Sequence, residues 1–227
     1  MMNKLKKIFK NSFIFKQIDK FENRYYQKKL TNTEFTILCP NCVGGLIYHR
    51  LGEKFNSPTI DLTINSDDFC NFLENLEYYI SKDVDYHSTR DDGVPVGIIR
   101  GDNIYSDIKI YFTHYKDFDK ARDKWNERKL RIKKENTYAV MYDIGDFNQE
   151  DYEKAGYLSD ENLKKFENFK CNNKVLLTSN PNHKSKYAYY IKPNYNGPYP
   201  LVYLNRGITG LMQYEKEFDF VGFINKK

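Results

Sequence analysis

The residues best suited to chemistry lie where an apolar run breaks into a turn that contains glycine. Residues 35–38 are predicted to form a buried strand, and Gly44 and Gly45 open a helix soon after it. A strand that turns sharply into a helix points unpaired backbone N–H groups at one place. Such a place suits an anion, and Cys42 lies beside it. The sequence therefore predicts a phosphate-binding bend, with Cys42 as a candidate nucleophile.

Polar side chains also follow other predicted strands at the points where those strands end. Ligands of open α/β sheets bind beyond the carboxyl ends of the strands, so we expect these side chains to share a site. His114 is the candidate for moving a proton because imidazole titrates near neutrality, although a hydrogen bond to a neighbouring loop explains it equally well. The predicted catalytic residues are His114, Cys42 and Asp143.

A second set of residues is predicted to bind the substrate. Arg128 and Arg131 are three positions apart on a predicted helix and share a face, so they could hold a phosphate or a carboxylate; the alternative is a solvated helix face. Asn56 and Ser57 belong to the site only if the preceding loop folds over the sheet. The predicted substrate-binding residues are Asn41, Gly44, Gly45, Asn56, Ser57, Tyr115, Arg128, Arg131 and Asn180.

Two patterns favour redox or metal chemistry only weakly. Cys39 and Cys42 form a C-x-x-C motif, but zinc would need two further ligands, and a cysteine in an apolar strand is typical of a protein core. Asp143 and Asp146 resemble the paired acids with which nucleotide-sugar enzymes hold a divalent ion, at a spacing one residue too long. No metal site is predicted, and the residues indicate no particular cofactor.

These residues must be positioned by an α/β domain. Strands separated by helices predict a single domain with a mainly parallel sheet flanked by helices, and two strands joined at residues 101–103 predict one local hairpin. The predicted strands are residues 35–39, 59–64, 95–100, 107–113, 137–142, 173–178 and 187–191. The predicted helices are residues 43–51, 67–80, 117–134, 148–155, 160–168 and 213–224.

The positive charge is concentrated in the first thirty residues. They hold nine basic residues and two acidic residues, whereas the whole 227-residue chain has a net charge of +5. The body, residues 31–227, is therefore nearly neutral, which argues against a nucleic-acid partner. Residues 1–30 are predicted to form a basic amphipathic helix that either packs on the domain or lies on an anionic membrane surface. No export signal or bilayer-spanning run is present, so we expect a cytoplasmic protein, with the inner face of the membrane as an open alternative.

Several blocks, read together, resemble a known family over residues 30–225. The blocks are residues 35–38, 41–45, 55–58, 69–79, 112–115, 124–131 and 218–220. They are similar to a bacterial family of unknown function that is labelled exopolysaccharide or capsular polysaccharide biosynthesis protein and numbered nineteen-nineteen. Cys39, Pro40 and Val43 depart from its pattern, which has Ser, Asn and Trp at these positions. The resemblance implies surface-glycan assembly as the context and supplies no established reaction.

Three functions remain open from the sequence. The first is a transferase that acts on a glycosyl or nucleotide-linked anionic substrate. The second is a non-catalytic protein that binds a glycan or a partner of the polysaccharide assembly machinery. The third is a thiol oxidoreductase, which would need Cys39 and Cys42 to form a reversible disulfide.

Overall fold

The structure, a computed structural model, describes residues 13–143, 158–178, 180–191 and 217–226. Within these ranges the helices are α1 Phe13–Lys29, α2 Val43–Leu51, α3 Ser66–Glu74, α4 Leu76–Ser81, α5 Phe118–Lys129, α6 Asp160–Asn168 and α7 Phe220–Asn225. The strands are β1 Thr36–Leu38, β2 Asp85–Thr89, β3 Pro95–Ile99, β4 Ile108–Tyr111, β5 Thr137–Asp143, β6 Asn173–Thr178 and β7 Ala188–Tyr190. A short 3-10 helix spans Lys134–Asn136.

The four-stranded sheet is parallel, with the order β1-β5-β6-β7. Strands β1, β5 and β6 are buried on both faces because each face is covered by helices, whereas β7, at the edge, is partly exposed. Along β5, Tyr138 and Val140 pack in the cluster that includes α2 and α7, whereas Ala139 and Met141 pack in the cluster that includes α3 and α5. This arrangement confirms the predicted α/β domain with a mainly parallel sheet.

The predicted hairpin is confirmed as the antiparallel pair β3 and β4. It belongs to a separate three-stranded sheet with the order β2-β3-β4. Gly101 is required in the connection, because a Cβ atom there would lie 1.9 Å from the carbonyl oxygen of Tyr105. The sequence reading missed β2, since most of this strand is exposed and its polar residues break the apolar pattern on which strand prediction depends.

The predicted strand at residues 59–64 is wrong. This stretch makes a single isolated bridge, from Thr63 to Tyr111, and no ladder. Pro58 has no N–H group to donate, and Asp61 adopts a φ of +64°, which breaks an extended conformation. Apolar alternation alone could not reveal either effect.

The positions of the helices were predicted better than their lengths. Residues 43–51 and 160–168 are helical as predicted, but the helix predicted over 67–80 is broken at Asn75 into α3 and α4. Helix α5 ends at Lys129 instead of residue 134. The helix predicted at 148–155, and the first part of the one at 213–224, lie outside the described residues.

The amphipathic N-terminal helix is described from Phe13 onward, as α1; residues 1–12 lie outside the described ranges. One face of α1 packs on the domain, with the Tyr26 ring 5.2 Å from the Phe220 ring and the Asn23 side chain accepting a 2.7 Å hydrogen bond from Arg50. After the helix, the buried Asn32 side chain donates to Tyr138. The predicted division between residues 1–30 and 31–227 stays a prediction.

Candidate functional site

The predicted bend before α2 is closed by its own side chains. Asn41 Oδ1 accepts a 3.1 Å hydrogen bond from the Val43 amide and lies 3.4 Å from Cys39 Sγ. The Gly44 amide is hydrogen-bonded to the Cys39 side chain. Two of the N–H groups that were predicted to cradle a phosphate are therefore already used inside the protein, and the Asn41 side chain closes the turn that precedes α2.

Gly44 and Gly45 allow α2 to pack closely on its neighbours. Both residues are buried. A Cβ atom at Gly44 would lie 3.1 Å from Cys39 Cβ, and one at Gly45 would lie 3.0 Å from Ile60 Cγ2. These approaches are tighter than ordinary van der Waals contact, so a larger residue would require Cys39 or Ile60 to shift by a few tenths of an ångström. The contacts give the two glycines a packing role.

Residues 56–64, which we call the seam, run beside β1 and connect the two sheets. The hydroxyl of Thr36 donates to the Asn56 carbonyl at 3.0 Å, and the Cys39 amide donates to the Thr59 hydroxyl at 3.1 Å. Further along, Thr63 and Tyr111 exchange both backbone hydrogen bonds. Side-chain oxygens thus replace a regular ladder, and the seam carries its residues past the carboxyl end of β1.

Asp61 is the residue of the seam that stands out. It is the one non-glycine residue with a positive φ among those that the structure describes. Such a conformation costs free energy and persists only where surrounding contacts hold it. Here Asp61 Oδ2 accepts a 3.0 Å salt bridge from Arg128, and Oδ1 would be 3.8 Å from a Cβ atom at Gly45. The carboxylate therefore lies close to the start of α2.

Arg128 is the buried centre of this cluster. Its side chain is 8% exposed, and besides Asp61 it donates a 2.8 Å hydrogen bond to the Ile60 carbonyl. Its guanidinium lies 5.1 Å from the centre of the Phe55 ring and bonds the Tyr115 hydroxyl. One planar group thus joins α5, the seam and the turn after β4.

Burial and neighbouring charges in the cluster keep the Cys42 thiol and the Tyr115 phenol protonated. Burial raises the pKa of Cys42, and the negative charge of Asp61 raises it further. Burial also raises the pKa of Tyr115, against the opposing effect of the Arg128 charge. At neutral pH both groups are hydrogen-bond donors, while the carboxylate of Asp61 supplies the acceptor.

An open hollow of about 310 Å³ lies next to Arg128. We call it the basic hollow; its lining residues are Glu53, Lys54, Phe55, Lys124, Glu127, Arg128 and Arg131. Glu127 is paired with both Lys124, at 2.6 Å, and Arg131, at 3.1 Å. Arg128 is balanced by Asp61, and the other three cationic side chains against two anionic ones leave the hollow with a small net positive charge.

Comparison with known proteins bears on this arrangement. The family described as Domain of unknown function (DUF1919) matches residues 12–225. An uncharacterized protein of Haemophilus influenzae is 32% identical over 228 residues, which cover 99% of each chain. The protein belongs to the DUF1919 family. The match confirms the predicted family resemblance, and it spans α1, both sheets and the cluster around Arg128.

The structure brings together only part of the predicted site of this DUF1919 protein. Asn41, Cys42, Arg128, Arg131 and Tyr115 lie in or beside the cluster. His114 is exposed in the turn after β4, next in sequence to Tyr115. Asp143 ends β5, the parallel neighbour of β1, and its side chain is not among those described.

Three other predicted substrate-binding residues are held by internal contacts. Asn56 is buried near the start of β1 and donates to the Phe35 carbonyl, while Ser57 is buried against Thr59. Asn180 is half-buried after β6, where its side chain accepts from the Asn182 amide. The contacts of Asn56 and Ser57 hold them within the fold, and Asn180 follows a strand two places from β1.

Sequence reasoning missed Asp61, Phe55, Lys54 and Lys124. One signal was available for Asp61, which is an acidic residue at the centre of an apolar run, residues 59–64. A charged group at a predicted core position needs a partner, and a buried arginine is the usual solution. No sequence pattern indicated which arginine would supply it.

A larger hollow of about 500 Å³ lies between α3, α4 and α6. Its wall includes the paired rings of Tyr78 and Tyr105, and a salt bridge links Lys134 to Glu77. None of the predicted site residues lines it. Over the described ranges, no group of three His, Cys, Asp or Glu side chains is placed to hold a metal ion. Among the same residues, no helix combines the length and apolar character needed to cross a bilayer.

The cysteines of the C-x-x-C motif are expected to react slowly. Burial raises the pKa of Cys39 to about 12 and also raises that of Cys42, so little thiolate exists at neutral pH. We expect iodoacetamide to alkylate both at least about tenfold more slowly in the folded protein than in urea, as read by mass spectrometry. Rapid alkylation of native Cys42, or a reversible disulfide between Cys39 and Cys42 under mild oxidant, would contradict this and revive the oxidoreductase hypothesis.

Proposed function

We propose that this protein binds a glycosyl or nucleotide-linked anionic substrate in the basic hollow and acts as a transferase in surface polysaccharide biosynthesis. The observation that carries the proposal is a positively charged hollow whose wall includes Arg128, the buried arginine that is paired with Asp61, a residue with a strained backbone of positive φ. The polysaccharide context comes from the label of the family that the sequence resembles.

The charges of the basic hollow favour an anion. Lys54, Lys124 and Arg131 outnumber the two carboxylates, Glu53 and Glu127, so one positive charge is left in excess to attract a phosphate, and Arg131 can present a planar guanidinium to it. A volume of about 310 Å³ is at the lower end of the range of small-molecule sites and suits a sugar phosphate. Phe55 supplies an apolar wall against which a sugar ring can pack.

The chemistry follows from what each group can donate or accept. In a glycosyl transfer, an acceptor hydroxyl oxygen bonds to the anomeric carbon, and the bond from that carbon to the phosphate oxygen breaks. The proton of the hydroxyl passes to a base, for which Asp61 is suited because Arg128 binds Oδ2 and leaves Oδ1 to accept. The cations of the hollow neutralise the departing phosphate. His114 is the second candidate for this proton, while Cys42 stays a neutral thiol.

The proposed location is the cytoplasm, at the inner face of the membrane. The substrates of such a transferase, nucleotide-linked donors and growing glycans, meet at that surface. The sequence supports this location through its basic first thirty residues.

A second candidate function is a non-catalytic glycan-binding or partner-binding protein. The observation that favours it is the pairing of Asp61 with Arg128, since a carboxylate that holds a buried arginine in place has a structural role that requires no reaction. In this case the same hollow would recognise the anion, and no bond would be made or broken.

Binding is tested first, by thermal shift with a panel of nucleotide sugars and with inorganic phosphate. A ligand of the folded state raises the melting temperature, and we expect at least one nucleotide sugar to do so. An Arg131→Gln variant should lose most of this shift, whereas Lys116→Gln, an exposed lysine outside the hollow, should keep it. If the ligand-induced rise in melting temperature is unchanged in Arg131→Gln, the basic hollow is not the binding site.

Catalysis is tested with Asp61→Asn, which keeps a hydrogen-bonding side chain that tolerates positive φ. An enzyme should keep ligand binding and lose polysaccharide production by about a hundredfold or more, the usual effect of removing a general base. Asp85→Asn, at an exposed position of β2, serves as the control. Normal production by Asp61→Asn, His114→Ala and Cys42→Ser, each made separately, would leave the binding protein as the function.

A further inference from the structure

The outer face of α1 carries aromatic and basic side chains side by side. Phe21, Arg24, Tyr25 and Lys28 have the spacing i, i+3, i+4, i+7, which places them in one stripe along the helix. All four are exposed, with 73% of Phe21 and 50% of Tyr25 accessible to solvent. We call this set the aromatic–basic stripe.

The opposite face of α1 is already occupied. Tyr26 packs on Phe220 of α7, and Asn23 is bonded to Arg50 of α2. Gln27 closes over Gly52, where a Cβ atom would lie 2.7 Å from its amide nitrogen. The helix is therefore anchored to the domain through one face, and the aromatic–basic stripe is held outward as a fixed part of the surface.

The exposed charged residues at positions 20–29 are all basic, and Glu22, the acidic residue of this stretch, is half-buried. Lys20 and Lys29 are exposed next to it, and Lys29 lies 4.2 Å from the centre of the Tyr25 ring. None of the exposed residues between positions 20 and 29 is acidic. Exposed aromatic rings between lysines and arginines are what an interfacial helix presents to lipid, because the rings enter the headgroup boundary while the cations meet anionic headgroups.

We propose that the aromatic–basic stripe docks the protein on a bilayer that contains anionic phospholipids. This deepens the proposed function by naming the surface on which it would act, but it stands on α1 alone and not on the basic hollow. The helix would lie in the plane of the interface, with Phe21 inserted and Arg24 and Lys28 among the lipid phosphates.

The test is co-sedimentation of the full-length protein with phosphatidylcholine vesicles, with and without phosphatidylglycerol. We expect binding only to the anionic vesicles, weakened by added salt. Phe21→Ser should lower the partition coefficient by about tenfold, because an apolar ring no longer enters the interface. The double variant Arg24→Gln/Lys28→Gln should lower it by about 25-fold, since each cation near an anionic surface contributes about fivefold. All these positions are exposed, so the variants should stay folded.

Two controls match these changes elsewhere on the surface. Ile104→Ser removes an apolar side chain that is 83% exposed, and Lys116→Gln/Lys184→Gln removes two exposed charges outside α1. Both should bind vesicles as the wild type does. The proposal is overturned if wild-type protein does not bind, if the stripe variants bind equally well, or if Phe21→Ser instead breaks a dimer detected by gel filtration. Nucleotide-sugar binding is measured in parallel, and its loss would count against the basic hollow and not against the stripe.

Discussion

An Arg128→Met variant is expected to lose about 2–3 kcal/mol of unfolding free energy. The side chain is 8% exposed and makes hydrogen bonds to the Ile60 carbonyl and the Asp61 carboxylate. Without it, both acceptors lose a charged donor, and Asp61 keeps a strained backbone with no partner to hold it. The figure is below that for a fully buried pair because the Asp61 side chain is 36% exposed.

Urea denaturation followed through the fluorescence of Trp125, the single tryptophan of the chain, measures this loss on the same helix. Arg128→Lys should recover only part of it, since an ammonium group cannot present the planar fork that reaches both acceptors. Arg122→Met is the matched control on α5, because Arg122 forms an exposed pair with Asp119 and its loss should cost below about 1 kcal/mol. Equal denaturation midpoints for Arg122→Met and Arg128→Met would show that the cluster does not stabilise the fold.

An Asp68→Asn variant is expected to be more stable than the wild type at neutral pH and equally stable in acid. Burial raises the pKa of Asp68 from 3.8 to about 6, against a 3.1 Å hydrogen bond from the Lys109 amide. The folded protein therefore holds this proton more tightly than the unfolded chain does. Stability from this group is complete below pH 4 and is lost as the pH rises through 6, by about 2–3 kcal/mol in total.

The measurement is the free energy of unfolding of both proteins from pH 4 to pH 7.5. The difference between variant and wild type should grow with pH across this window, because asparagine keeps the acceptor for Lys109 and carries no charge. Asp91→Asn, at an exposed position in the turn before β3, controls for the loss of one negative charge. A difference that is constant with pH would mean that Asp68 titrates in the folded protein as it does in the unfolded chain.

Local sequence patterns were sufficient to predict much of the secondary structure. The unit of β1 and α2, the hairpin of β3 and β4, and the helix at residues 160–168 were all placed from apolar period and turn residues, which are properties of neighbouring positions. The prediction of a strand at residues 59–64 was wrong for the same reason, because it depended only on neighbouring positions. Their alternation is that of a strand, but Asp61 has a positive φ and pairs with Arg128, which is distant in sequence.

In the candidate site, too, properties of single residues were predictable and contacts between distant residues were not. Cys42, Tyr115 and Arg128 were each selected for their chemistry, but the close packing of Gly44 against Cys39 and of Gly45 against Ile60 could not be predicted from the sequence. A turn whose amides bind an anion and a turn whose amides bond to its own side chains can have the same sequence. The distinction depends on whether Asn41 and Cys39 turn toward the amides, which they do.

The sequence by itself determined the family, the α/β class and the basic character of α1, because these follow from composition and from short-range periodicity. Only the tertiary structure decided which charges meet. The seam carries Asp61 past the end of β1, and α5 presents Arg128 to it, so a carboxylate, a guanidinium, a thiol and a phenol from four separate segments share one place. Pairing between segments far apart in the chain depends on the free energy of the whole fold, which no local pattern contains.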